Sequence, residues 1–269
     1  MADLAGTEEL VITMDPHPAA FFGRKISLLS TMDEKLSLFD HLGVRNLLVL
    51  NFTSEIASLS GTRFIDEILV EKLSVSRLLL GYNNSIGHKE NGVSDISSTK
   101  IPVSRLDRFH IDYSDDISSS SIRRLILSGD IDLANNYLGY DYSLSGSVVH
   151  GFGIGRKIGF PTANIVPQCA DKVIPCNGSY IVVAMVDGQA YPAMLNIGCR
   201  PTFDGQERSI ELHILDYDSD IYGRNLVVVF KGRLRGEQKF DSVADLTAQL
   251  CADKLAVEAF FARNPLSLQ

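Results

Sequence analysis

Residues 151–164 read Gly-Phe-Gly-Ile-Gly-Arg-Lys-Ile-Gly-Phe-Pro-Thr-Ala-Asn, and the organisation of the chain follows from what this stretch can be. Gly151, Gly153 and Gly155, with Gly159 just beyond, lack the Cβ that would hold a phosphate chain away from the backbone. Arg156 and Lys157 put two cations beside those N–H groups. Thr162 and Asn164 add a hydroxyl and an amide carbonyl, hard oxygen donors of the kind Mg²⁺ accepts. Phosphate loop, cations and metal ligands within one segment suggest a nucleotide-dependent phosphoryl transferase.

Two competing motifs fail on the same residues. A dinucleotide fingerprint needs a third glycine where Arg156 stands, and Ile158-Gly159-Phe160-Pro161 cannot open a stable helix behind the loop. A Walker A loop needs Gly-Lys-Ser/Thr, and that triplet is absent from the chain. By itself the stretch still reads either as a ligand-free glycine hairpin or as a nucleotide loop.

Outward from the loop toward the C-terminus the pattern is β. Residues 180–186 and 189–197 flank Asp187-Gly188, a two-residue hairpin signal. Residues 209–215 alternate, with Ile210, Leu212 and Ile214 on one face and Ser209, Glu211 and His213 on the other. A strand is expected at 226–230, then a helix from Ser242, capped through Asp245, burying Leu246, Leu250, Val257 and Phe261. Several strands and one terminal helix fit a small antiparallel barrel.

Residues 150–165 resemble the glycine loop and Pro-Thr-Ala-Asn signature of the riboflavin kinase module. Asn196-Ile197-Gly198, Arg200-Pro201-Thr202-Phe203, residues 209–216, Ile221-Tyr222-Gly223 and Lys239-Phe240-Asp241-Ser242 match it in order, so the resemblance runs from about residue 145 to 261. It implies a six-stranded barrel, phosphorylation of riboflavin to FMN by ATP with Mg²⁺, Glu211 as catalytic base, and riboflavin, FMN and ATP/ADP as partners. Alternation alone leaves Glu211 readable as a solvent-facing strand residue. His213 reads as a polar residue on the open face, His150 as a flank of the loop, and Arg200 as either a phosphate contact or a salt-bridge partner.

Upstream, residues 10–14, 46–52 and 77–80 read as buried strands. Between them lie helices opened by a Thr31/Glu34 capping box and running over residues 61–73. Strands alternating with helices imply a parallel sheet. Serine, aspartate and asparagine dominate residues 83–121, with a short strand at 109–113. Helices follow at 119–129 and 133–138, and residues 139–145 read as a connection. The expected domains are 1–140 and 145–269, an incomplete Rossmann-like nucleotidyltransferase domain followed by the barrel.

That first part resembles the adenylyltransferase domain of the bacterial bifunctional riboflavin kinase/FAD synthetase. Such a domain begins with a His-x-Gly-His loop at a helix N-terminus. Here the match begins at Ile12-Thr13-Met14-Asp15-Pro16-His17-Pro18, and none of His17, His41, His88 and His110 recreates the motif. Residues 81–92 carry Asn83, Ser85, Ile86 and Glu90 where the resemblance implies an Asp, a Phe and basic residues. The expectation is a truncated, degenerate domain whose adenylyltransferase activity is lost; an upstream segment would restore the bifunctional reading. A flavin-binding protein without catalysis is the third reading.

Composition bounds these readings. The 269 residues suffice for about two domains, and 45% hydrophobic with 22% charged residues is ordinary for a soluble globular chain. A net charge of -8 argues against broad nucleic-acid or anionic-membrane binding. No signal peptide or membrane-length apolar run is visible. Cys169, Cys176, Cys199 and Cys251 lack zinc spacing and read as reduced thiols in a cytoplasmic protein.

Overall fold

Strand β1 (Val11–Asp15) lies parallel to β2 (Leu47–Asn51), with Val11 opposite Leu47 and Asp15 opposite Asn51. Parallel neighbours need a crossover, and α1 (Pro18–Phe21) and α2 (Met32–His41) lie within it, α2 starting directly after Thr31. This computed structural model describes residues 8–82, 84–87, 96, 99–107, 117–151, 154–202 and 205–266. Next come α3 (Ser54–Ser58) and α4 (Gly61–Arg63), capped by the Thr53 and Ser60 hydroxyls. The helix predicted over 61–73 continues as a π-helical segment, Phe64–Val70, whose successor Glu71 reaches back to the Asp66 carbonyl at 3.0 Å. Phe64, Ile65 and Leu69 form the buried centre of this unit.

Strand β3 (Leu78–Leu80) pairs in parallel with β4 (Val103–Arg105) instead of extending β1 and β2. The single parallel sheet expected from the alternation is therefore two separate pairs among the described residues. Arg105, at the end of β4, donates to the carbonyls of Gly81, Tyr82 and Asn84 at 2.8, 3.2 and 2.7 Å, which holds β4 on β3. The strand expected at 109–113, together with Asn83 and Glu90, lies outside the described residues.

The chain divides into two compact units, Met1–Ile26 with Met32–Asp116, and Ser27–Thr31 with Ile117–Gln269. The second unit opens with α5 (Ser119–Ser128), which starts in a Ser118/Ser121 capping box and ends at Gly129, and α6 (Ile131–Leu138), capped by Asp130. Strand β5 (Ser143–Val149), a helical turn α7 (Ile154–Lys157), strands β6 (Ala163–Pro167), β7 (Gly178–Val186), β8 (Gln189–Thr202), β9 (Gly205–Ile214) and β10 (Asn225–Gly236), and helix α8 (Val243–Arg263) follow. The six strands close in the order β10-β5-β6-β9-β8-β7, every pairing antiparallel. The predicted turn joins β7 to β8. Asp187 and Gly188 both have positive φ, 51° and 79°, and the register runs back from Val186 opposite Gln189.

Residues 117–140, read from the sequence as part of the first domain, pack with the barrel. Ile122 and Ile126 of α5 and Ile131 and Ala134 of α6 share one core with Tyr142, Leu144 and Phe230. Asn135 donates to the Phe230 carbonyl at 2.9 Å and accepts from the Tyr142 N–H at 2.8 Å. Of the stretch 139–145 read as a connection, residues 139–142 form the turn between α6 and β5, and 143–145 already belong to β5. A segment from the N-terminal half, Ser27–Thr31, also belongs here: the Leu28 N–H donates to the Asp171 carbonyl at 2.7 Å and the Val173 N–H to the Leu28 carbonyl at 3.0 Å. Lys172, buried, donates to the Leu29 carbonyl at 2.7 Å.

Inside the barrel sit the residues predicted to alternate inward, including Ile210, Leu212 and Ile214. Helix α8 covers part of the outer wall, where Val257 packs with Met194, Phe160 and Leu215, flanked by Leu250 and Phe261. No described helix is long and apolar enough to cross a membrane. All four cysteines are free thiols.

Candidate active site

Barrel register lines up a row of polar side chains across five strands. Asn164 of β6 is opposite Glu211 of β9, Glu211 opposite Asn196 of β8, Asn196 opposite Ser179 of β7, and Ser179 opposite Arg235 of β10. Their sequence neighbours Ile165, Leu212, Leu195, Ile197 and Tyr180 fill the interior, so alternation sends this row outward. The Thr162 hydroxyl stands 3.4 Å from the Glu211 carboxylate and donates toward it. Glu211 is half-buried. Thr162 and Asn164, neighbours in sequence, thus share one patch of the outer wall with the distant Glu211.

The glycine loop is the connection between β5 and β6. It leaves from Val149 and returns at Asn164, which face each other in the ladder. A Cβ on Gly151 would lie 1.9 Å from the Asn164 amide nitrogen and 3.5 Å from its carbonyl oxygen. A Cβ on Gly155 would lie 2.2 Å from the Phe160 carbonyl. Gly151 therefore lets the loop press against its own returning strand, and Gly155 lets the loop close on Phe160 before that strand begins. Asn164 is held with its nitrogen toward Gly151. The loop contains the short helix α7, with exposed Arg156 and Lys157 in its last turn, and the Phe160 N–H closes on the Gly155 carbonyl at 2.9 Å. Gly159, at φ 84°, ends that turn. Gly153 lies outside the described residues, as does the side chain of Arg200.

His213 corrects an expectation. It is buried rather than on an open face, because α8 and Phe160 cover the row next to the polar one, where Met194 stands opposite His213 and Ile181 opposite Met194. Its Nδ1 lies 2.7 Å from the Pro161 carbonyl and its ring meets Phe160 edge-on at 5.4 Å. Burial pushes its pKa below the usual value of 6.5, opposed by the bond to Pro161. The ring fixes the turn that delivers Thr162.

Beside this row is a cavity of about 600 Å³ bordered by Phe160, His213, Asp216, Tyr217 and Lys254. A second depression, of about 460 Å³, lies under Phe240 and Gln249. Gln249 donates to Asp253 at 2.8 Å, and Asp253 takes Arg235 through both carboxylate oxygens, so this depression is tied to the far end of the polar row. Sequence reading assigned no role to Ser179, Asn196, Arg235 or Asp253. Counting back from the Asp187-Gly188 turn would have set Ser179 opposite Asn196; the Arg235–Asp253 pair has no local signal, because β10 meets α8 only in the folded barrel.

A family model described as riboflavin kinase matches residues 138–261, and one described as FAD synthetase matches residues 1–121. A bifunctional riboflavin kinase/FMN adenylyltransferase from Listeria monocytogenes is 36% identical over 98% of this chain and 85% of its own length. The chain belongs to the bifunctional riboflavin kinase/FMN adenylyltransferase family. The Escherichia coli protein of that name is 33% identical over 94% of this chain and 82% of its own. A solved structure from Streptococcus pneumoniae, titled a macrolide-efflux protein, superposes with TM-score 0.82 at 29% identity, covering 93% of this chain and 83% of its own. Family membership gives both parts a match, and nothing in these likenesses supports a truncated or degenerate first domain. The barrel, its terminal helix and the nucleotidyltransferase-like first part are those of the family.

Proposed function

We propose that this chain transfers the γ-phosphoryl group of ATP to the primary hydroxyl of riboflavin, giving FMN and ADP. The observation that carries the reading is the 3.4 Å approach of the Thr162 hydroxyl to the Glu211 carboxylate, with Asn164 directly opposite Glu211. Oxygen donors and an acidic group facing one space meet two requirements of phosphoryl transfer to an alcohol. Glu211 takes the proton of the attacking hydroxyl. Arg156 and Lys157, exposed at the end of α7, meet the phosphates, and Gly151, Gly153, Gly155 and Gly159 belong to the nucleotide-binding stretch.

Thr162 and Asn164 fit a magnesium ion: a hydroxyl and an amide carbonyl are hard, neutral oxygen donors, and they stand beside the Glu211 carboxylate. Such an ion would draw its remaining ligands from phosphate and water. When bound it neutralises phosphate charge and orients the transferring group. The nucleotide occupies the side of the row lined by the glycine loop and the cavity at Phe160 and His213.

Purified protein given riboflavin, ATP and Mg²⁺ should yield FMN, read by chromatography, and none when the metal is chelated. Riboflavin bound but never converted would support the non-catalytic reading instead. The same chromatogram addresses the first domain. We infer that it forms no FAD, because residues 81–92 carry Asn83, Ser85, Ile86 and Glu90 where the resemblance implies an Asp, a Phe and basic residues, and an acidic side chain in place of a basic one repels an anionic nucleotide. FAD made from FMN and ATP by this polypeptide would refute that inference and leave the kinase reading intact.

A further inference from the structure

The root of the glycine loop makes a contact that the phosphoryl-transfer reading does not use. His150, the residue before Gly151, lays its imidazole on the Tyr222 ring, with centroids 3.8 Å apart and planes 27° from parallel. Tyr222 sits in the connection between β9 and β10, and that connection is bonded to β5. The Gly223 N–H donates to the Val148 carbonyl at 2.9 Å, and the Val148 N–H to the Arg224 carbonyl at 2.9 Å. The Tyr222 N–H itself donates to the Asp220 carboxylate at 2.9 Å. His150 is exposed, so no core packing dictates where its ring lies, and the ring face is the part of it engaged.

The same β9–β10 connection supplies Asp216 and Tyr217 to the cavity whose other side is formed by Gly159 and Phe160 at the end of the glycine loop. The two loops bordering the cavity are therefore joined at their roots by one aromatic stack. We propose that His150 is a positioning residue for the nucleotide: its stack on Tyr222 sets the glycine loop against the β9–β10 loop before ATP arrives. The inference rests on reading that loop as the nucleotide's. Ordering the loop beforehand removes part of the entropy that binding would otherwise cost. Because the ring face carries the contact, another flat aromatic ring serves in its place.

The test uses the full chain and follows KM for MgATP, KM for riboflavin and kcat, with titration of a non-hydrolysable ATP analogue plus Mg²⁺ as a readout free of turnover. His150→Ala should weaken both KM for MgATP and analogue binding about three- to tenfold, the equilibrium worth of a stacked aromatic pair. Its kcat and KM for riboflavin should stay within about twofold of the parent, as expected for loss of uniform binding. His150→Phe should restore nucleotide binding. Tyr222→Ala should reproduce the His150→Ala effect, and the double variant should be no worse than either. Unchanged nucleotide binding in His150→Ala, a His150→Phe variant as impaired as the alanine, or additive losses in the double variant would each overturn the proposal. A parent chain that converts no riboflavin overturns the reading of the site instead, and the analogue titration then still decides whether the stack positions the loop.

Discussion

Glu211 is the residue on which turnover depends in the proposed reaction. Replacing it by glutamine keeps the shape of the row and removes the acceptor of a proton. Glu211→Gln should cut turnover by roughly 10²- to 10⁴-fold while leaving binding of MgATP close to that of the parent. A folded variant with undiminished turnover would remove Glu211 from the chemistry. His213, two residues on, carries a different prediction. Its folded pKa lies below 6.5 because burial disfavours the imidazolium, and Lys254 acts in the same direction while Pro161 and Asp216 oppose. Just below pH 6.5 the unfolded chain therefore takes up a proton that the folded one refuses. Stability should fall on acidification through that window and level off below the folded pKa. Melting curves between about pH 7.5 and 5 should show a shallower slope for His213→Gln than for the parent; parallel slopes would rule out His213 as the source.

Among the elements, the segment Ser27–Thr31 is the least expected. It connects α1 to α2 along the chain, and it lies along residues 171–173 in a parallel bridge, Leu28 beside Lys172. Leu29 packs on the barrel core. Lys172 closes the arrangement, donating to the Leu29 carbonyl at 2.7 Å while its ammonium lies 4.4 Å from the centroid of the Tyr142 ring. A buried ammonium is tolerated only with such partners. Lys172→Met keeps the apolar stem and loses the bond, which should destabilise the barrel unit by about 1–3 kcal/mol. Denaturant unfolding followed by riboflavin kinase activity would measure it, and an unchanged midpoint would mean the segment adds nothing to the barrel.

For the whole molecule, the two units differ sharply in how much they bury. Among the described residues the first has Phe64, Ile65 and Leu69 at its centre, whereas the barrel encloses a continuous core that extends to α5 and α6. Unequal cores predict unequal stability. Calorimetry should resolve two transitions, with kinase activity surviving the first. Ile65→Ala, at a fully buried position, should lower only the first transition, by about 2–5 kcal/mol, and leave conversion of riboflavin unchanged. A single transition shifted as a block by this substitution would show the units to unfold together.

What the amino-acid order determined was local and periodic. The Asp187-Gly188 turn, the alternation around Glu211, the serine caps of α5 and α8 and the Thr-x-Asn pair of residues 162 and 164 each depend on neighbours a few positions apart. Short-range sterics and hydrogen bonding suffice to specify them. What only the tertiary structure decided were the meetings between distant segments: Thr162 beside Glu211, His213 roofed by α8, His150 stacked on Tyr222, Arg235 paired with Asp253, and residues 27–31 docked beside 171–173. Closing a barrel fixes which strands become neighbours and which outward faces are then covered. That choice is made by the burial of the whole core, and no short window of sequence contains it.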